Sequence, residues 1–206
     1  VQSTEEGGSR SRAFDFALKG IMNTVFGYGS ISNGHETTKA GNNNYGLLAH
    51  KASLLQSSAK DAVTFVDNHD TGSTQKHWFL DPADVGTAYA FILTHPGFPC
   101  VAWQHYFTAT ESGHAGSSEA VKAQYIGDTT VPGTSKKYKE HIDYLMQLRK
   151  DNGIEYDSNL TVLKHENSVY AAKITGTKGE LVVVIGADGV YAPSGNGYTD
   201  KHAVYG

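Results

Sequence analysis

The sequence predicts an α/β fold followed by a smaller antiparallel sheet. Three observations carry this. Ala62-Val63-Thr64-Phe65-Val66 and Pro99-Cys100-Val101-Ala102-Trp103 are short apolar runs of the kind buried on both faces of a parallel sheet. Between them lies a well-signalled helix, so the three make one βαβ unit with short connections. After residue 155 the helical pattern stops, and three short strand-like runs follow with only turns between them.

Taken in order, residues 1–12 are polar and read as a loop or frayed end. Ala13 to Leu18 reads as a short apolar strand broken by Asp15, and Lys19 to Phe26 as a short helix with Ile21, Met22 and Val25 on one side. Residues 27–46 hold several Gly and the run Asn42 to Asn44, which predicts a loop. Leu47 to Ser57 is weakly helical. After the Ala62–Val66 strand, a polar loop is expected from Asp70 to Leu80.

Asp81-Pro82-Ala83-Asp84 then opens a helix: Asp81 can cap, Pro82 suits the first position, and Asp84 places negative charge at the positive end. Val85, Ala88, Tyr89 and Ile92 give its packed face, and His95-Pro96-Gly97 stops it. Residues 108–135 form a long Gly/Ser/Thr-rich loop of the functional or mobile kind. Lys136 to Lys150 is amphipathic, with Tyr138, Ile142, Leu145 and Met146 inward and Asn152-Gly153 closing it. Leu160–Lys164, Ser168–Ile174 and Glu180–Ile185 are the antiparallel strands, and Tyr191 to Gly206 is expected to extend that sheet. A boundary near residue 155 divides the chain into 1–155 and 156–206.

Composition narrows the function classes. The 206 residues are 39% hydrophobic and 18% charged, too apolar for disorder. With a formal net charge of −4 and no basic patch, nucleic acid is excluded as an expected partner. No apolar run is long enough to span a bilayer. A single cysteine, Cys100, permits no internal disulfide and, inside a strand, is expected to be an inert core residue. The 10 His show no metal-ligand spacing, so no zinc site is predicted. There is no signal peptide at Val1–Arg12 and no initiator Met, so Val1 reads as an internal starting point.

The chemistry concentrates after the Ala62–Val66 strand, in Asp67-Asn68-His69-Asp70. In parallel α/β barrels the C-terminal strand ends form the active-site face. Four polar residues there, two of them acids, either converge on a ligand or cap and pack the loop.

Phe65-Val66-Asp67-Asn68-His69-Asp70-Thr71-Gly72 resembles the fourth conserved region of the α-amylases, glycoside hydrolase family 13. The runs Tyr89 to Gly97 and Pro99-Cys100-Val101 resemble plant α-amylases and bacterial maltotetraose-forming amylases, and Phe14 to Lys19 resembles their sixth barrel strand. The resemblance covers roughly residues 13–20, 61–107 and 136–186, and carries several expectations. The fold is the C-terminal part of a (β/α)8 TIM barrel (strands six to eight) followed by a small antiparallel all-β domain. Asp70 is the third catalytic carboxylate, binding sugar hydroxyls and helping ring distortion at the oxocarbenium-like transition state. His69 binds a hydroxyl of the same sugar, while Asp67 and Asn68 support the loop. Gln75 and a sugar-stacking Trp78 are further substrate-binding candidates, the alternative for Trp78 being an aromatic packed under the loop. His105 matches a His of the plant-type pattern, although the Asp-Trp-Gly that usually follows is replaced by Thr108-Ala109-Thr110.

A retaining glycosidase also needs a nucleophile and a general acid roughly 5–5.5 Å apart. The family places them on barrel strands four and five. Asp15 lacks the Arg two positions before it that marks the nucleophile, since Ala13 stands there, and is read as a sixth-strand residue. The only Glu between residues 16 and 66 is Glu36, in a polar stretch. The chain is therefore expected to hold an incomplete enzyme, inactive alone, its partner the N-terminal half of the barrel. No cofactor is expected in this chain, and calcium is expected for the complete enzyme. The expected activity is hydrolysis of α-1,4 bonds of starch and related α-glucans such as maltooligosaccharides, with retention. An exo-acting maltooligosaccharide-forming enzyme and a non-catalytic glucan-binding protein or pseudoenzyme are the alternatives. A polymeric substrate implies a secreted protein.

Overall fold

The computed structural model describes residues 11–32, 35–71, 77–118 and 122–186. In chain order its elements are β1 (Ala13–Phe14), α1 (Phe16–Phe26), β2 (Gly27–Ser32), β3 (His35–Ala40), α2 (Leu54–Ser58), β4 (Ala62–Phe65), β5 (His77–Leu80), α3 (Val85–Thr94), β6 (Phe98–Cys100), α4 (Trp103–Tyr106), α5 (Tyr138–Asn152), β7 (Asn159–Glu166), β8 (Val169–Thr175) and β9 (Glu180–Gly186).

Among the described residues the strands form three sheets. The first is parallel, in the order β1-β4-β6, with Ala13 opposite Ala62 and Phe65 opposite Cys100. Central β4 is paired on both sides and buries Ala62, Thr64 and Phe65, as its apolar composition requires. The helix between β4 and β6 forms where its capping residues place it. Asp81 accepts the Ala83 N–H at 3.0 Å, a 3-10 turn spans Pro82–Asp84, and α3 follows. Nearly every residue of α3 is buried, because it packs against α5 on one side and β9 on another.

Gly27–Ser32 and His35–Ala40 are strands rather than loop. β2 and β3 form an antiparallel hairpin, and β2 pairs on its other edge with β5, so Asp70–Leu80 is not loop throughout either. The glycines that suggested turns do another job. A Cβ on Gly29 would lie 2.2 Å from Cζ of Phe79, so glycine here lets the aromatic ring cross the strand. The first strand is also shorter than expected: Asp15 caps α1, accepting the Leu18 N–H at 2.9 Å, and turns the chain into helix at Phe16.

Three smaller expectations change with the packing. α5 buries Tyr138, His141, Ile142 and Leu145, one turn-step round from Met146, which is exposed. Cys100 is exposed rather than core, since it ends β6, an edge strand of the described parallel sheet. Trp103 does not end a strand but starts α4.

The third sheet, β7-β8-β9, is antiparallel throughout, as expected for strands without intervening helices. Its buried face, including Tyr170, Ala172 and Ile174, joins one apolar cluster with α1 (Leu18, Met22, Val25) and α3 (Tyr89, Phe91, Ile92). No described helix is long and apolar enough to cross a membrane. The tail 191–206, expected to extend the third sheet, lies outside the described residues.

Candidate active site

The polar residues after β4 divide into an inward and an outward pair. Asp67, 5% exposed, points into the protein. It accepts from Lys19 Nζ at 2.6 Å and lies 3.3 Å from the Leu80 N–H through each oxygen. Lys19, wholly buried on α1, also donates to Asn23 Oδ1 at 2.9 Å. Burial lowers the affinity of the Lys19 ammonium for its proton, and the Asp67 carboxylate opposes that.

Asn68 shapes the turn. Its Oδ1 accepts the N–H groups of Asp70 at 3.1 Å and Thr71 at 2.9 Å, and the Thr71 hydroxyl accepts the Asn68 N–H at 3.1 Å. These bonds close the loop on itself and turn its tip outward. His69 and Asp70 form that tip, their side chains 81% and 57% exposed, with His69 Nε2 3.2 Å from Asp70 Oδ1. Both face solvent at the C-terminal edge of the parallel sheet.

His105 is brought to the same edge from α4, but it is buried. Nδ1 lies 2.9 Å from the Tyr89 hydroxyl, which also accepts the Ala102 N–H at 3.0 Å. The Tyr89 proton is therefore free to point at Nδ1, which leaves the His105 proton on Nε2, directed at Asp67 Oδ2 3.5 Å away. Burial holds the ring below its usual pKa, with Asp67 pulling up and Lys19 pushing down, so it is neutral at pH 7. Tyr89, in the same enclosure, is pushed far above the usual phenol range, chiefly by burial.

Trp78 stands at a bulge in β5. Ser30 pairs with His77 and Gly29 with Phe79, which leaves Trp78 without a cross-strand partner at φ 54°. Its carbonyl is held by Asn23 Nδ2 at 3.1 Å, and its ring lies over Gly20 and 5.7 Å from Lys19 Nζ. Trp78 is thus tied to the Lys19–Asp67 pair and half-buried. Gln75 lies outside the described residues. Asp15 is 3% exposed, and both its oxygens are engaged, the second by the Leu55 N–H at 2.8 Å.

Sequence reasoning missed Lys19, Asn23 and Tyr89 as members of this network. The signal for Lys19 was present: a lysine beside Leu18 and Ile21, inside an apolar run, has to find a carboxylate when buried. Among the described residues no three His, Cys, Asp or Glu side chains converge to hold a metal ion. Surface grooves of about 450 and 520 Å³ lie along Asn44–Lys51 and between α2 and β7, and neither is lined by His69 or Asp70.

No family model matches the chain. It is 36% identical over 138 residues to probable α-amylase 2 of Arabidopsis thaliana, covering 67% of this chain and 26% of that protein. It is 34% identical over 125 residues to the α-amylase type B isozyme of Hordeum vulgare, covering 61% of this chain and 62% of that one. To the glucan 1,4-α-maltotetraohydrolase of Roseateles saccharophilus it is 31% identical over 133 residues, covering 62% of this chain and 19% of that protein. The chain thus spans less than two thirds of each relative. The solved structure described as AmyP in complex with maltose superposes with a TM-score of 0.57 at 16% identity, covering 89% of this chain and 41% of that chain, a likeness of fold.

Proposed function

We propose that this chain, which resembles the α-amylases of glycoside hydrolase family 13, is the C-terminal portion of an enzyme that hydrolyses α-1,4-glucosidic bonds of starch and related glucans with retention of configuration. In this reading β1, β4 and β6 are barrel strands six, seven and eight, residues 1–155 belong to the catalytic barrel, and residues 156–206 form the antiparallel C-terminal domain. The observation that carries it is the division after β4. Asp67 is used up inside the protein and Asn68 in closing the turn, and His69 and Asp70 are left exposed at the C-terminal sheet edge.

Asp70 then supplies the third carboxylate. It accepts hydrogen bonds from hydroxyls of the sugar at the cleavage point, bonds that strengthen as the ring flattens and gains positive charge. His69 donates to, or accepts from, a hydroxyl of the same ring. His105, with both ring nitrogens turned to Tyr89 and Asp67, acts on the turn through Asp67 rather than on substrate. Trp78 lines the approach from β5, and Gln75 is assigned beside it from the family pattern alone. The nucleophile and general acid come from an upstream segment, and calcium binds the complete enzyme outside the described residues. Asp15, its two oxygens holding the Leu18 and Leu55 N–H groups, is poorly placed to be the nucleophile.

The 206-residue chain alone should release no reducing ends from soluble starch. Turnover that disappears in Asp70→Asn would move the nucleophile and acid into this chain and sink the proposed division of labour. In an enzyme completed by an upstream segment carrying the two missing carboxyls, Asp70→Asn should lower kcat by about 10²–10³-fold, the usual cost of one preorganised transition-state contact. An unchanged kcat would remove Asp70 from the catalytic machinery, and a completed protein with no turnover at all would leave the non-catalytic glucan binder as the reading.

A further inference from the structure

We infer that Trp103, backed by Phe107, is a stacking platform for a pyranose ring of an α-glucan chain at the same sheet edge as the His69–Asp70 turn. This rests on the glucan reading above and adds a binding residue to it. Trp103 is 56% exposed, the most open of the large apolar side chains among the described residues. Its ring is nevertheless fixed. The indole N–H donates to Ser112 Oγ at 2.8 Å, and the ring leans on Phe107 with centroids 4.1 Å apart and planes at 34°.

The support beneath it is built in turn from α5. Lys139 Nζ stands 5.4 Å from the Phe107 centroid and 5.1 Å from that of Tyr106, and pairs with Glu111 at 3.6 Å. Glu111 accepts from the Thr108 N–H at 2.8 Å and its hydroxyl at 2.9 Å, and the Tyr106 hydroxyl donates to Asp143 at 2.6 Å. An aromatic ring held this way loses little rotamer freedom when a ligand arrives.

The chemistry selects the ligand. With its N–H already satisfied, the indole offers mainly its π face, which suits the C–H face of a sugar ring. Lys139 beside Phe107 disfavours a cationic ligand, and the chain's net negative charge disfavours nucleic acid. Phe14 and Phe16 are also exposed, but they lean edge-on against Phe65 and have no such tether. Placement ties Trp103 to the candidate site. It begins α4, three residues beyond β6, the parallel neighbour of β4, and two residues later His105 reaches Asp67 at 3.5 Å.

The chain has two Trp, so two indole N–H resonances can be followed in a ¹⁵N-labelled sample titrated with maltoheptaose. The Trp103 resonance, identified by its loss in Trp103→Phe, should shift saturably. Trp103→Ala should weaken the calorimetric Kd about tenfold, as expected for one lost aromatic stack, with its far-UV circular dichroism unchanged. No shift of the Trp103 resonance at millimolar maltoheptaose, or a wild-type Kd in a folded Trp103→Ala chain, would overturn the inference. Either result leaves the role of Asp70 intact, because that role is read from turnover in the completed enzyme.

Discussion

A lysine with no exposed surface persists because its partners hold it, and the Lys19–Asp67 pair makes that testable. Lys19→Met removes the cation and leaves the Asp67 carboxylate buried with the Leu80 N–H, the Thr71 hydroxyl and the neutral His105 ring near it but no cation. Breaking such a pair costs about 3–5 kcal/mol, whereas removing both charges costs less. Urea unfolding should therefore place Lys19→Met well below wild type and Lys19→Met/Asp67→Leu between the two. A single variant as stable as wild type would mean that the carboxylate is not desolvated. Asp84 behaves in the opposite sense. Burial, then the neighbouring Asp81, pushes its carboxyl up from 3.8 to about 6. The native state therefore binds the extra proton between these values, and the charged form weakens the fold above pH 6. Asp84→Asn should stabilise by about 1 kcal/mol at pH 7, allowing for solvent screening, with the gain vanishing below pH 4. The same gain at both pH values would rule out the carboxylate charge as its cause.

Elements formed where local chemistry and packing agreed. α3 and its flanking strands were legible because a cap, a proline at the helix start and two apolar runs all point one way. The β2–β3 hairpin was not, because its glycines serve a ring crossing from β5, some fifty residues away, and read as turn signals in isolation. The same limit applied at the site. The family resemblance separated Asp67 from Asp70, but the physical cause could not be read locally, because Lys19, the partner that holds Asp67, lies 48 residues upstream in the chain. The burial of His105 was hidden for a similar reason, since Tyr89 belongs to another helix. α5 ends as its sequence predicts, with Gly153 at φ 62° and ψ 42° and its N–H returned to the Arg149 and Lys150 carbonyls. A Cβ there would meet Thr177 Oγ1 at 2.2 Å and the Lys178 N–H nitrogen at 3.0 Å, in the turn joining β8 to β9. Gly153→Ala should therefore cost more than the roughly 1 kcal/mol of a left-handed alanine alone, read as a drop in Tm. A Tm within a degree of wild type would mean that the turn yields freely.

At the scale of the molecule, α3, α5 and the third sheet meet at His95. Its Nδ1 donates to the Phe91 carbonyl at 2.7 Å, and its Nε2 accepts from the Tyr170 hydroxyl on β8 at 2.8 Å, which Gln56 of α2 also approaches at 3.4 Å. From α5, Arg149 donates to the carbonyls of Leu93, His95 and Gly97, closing the open end of α3. A second proton, on His95 Nε2, would displace the bond that the Tyr170 hydroxyl donates there. Burial, aided by the charge of Arg149, accordingly lowers its pKa from 6.5 to about 3. A depressed pKa on a base means that the unfolded chain binds the extra proton throughout that window. Stability contributed by neutral His95 is complete above pH 6.5 and is lost as pH falls towards 3, at up to about 1.4 kcal/mol per pH unit. Asp84 titrates in the same range with the opposite sign, so the difference between wild type and His95→Gln is what isolates this group. That variant should be the less stable at pH 7, where it lacks the imidazole's fitted bonds, and the gap should narrow steadily as denaturation is repeated down to pH 4. A gap of constant size would show that His95 titrates alike in the folded and unfolded chains, and that the contact between the α/β part and the third sheet does not depend on its neutrality.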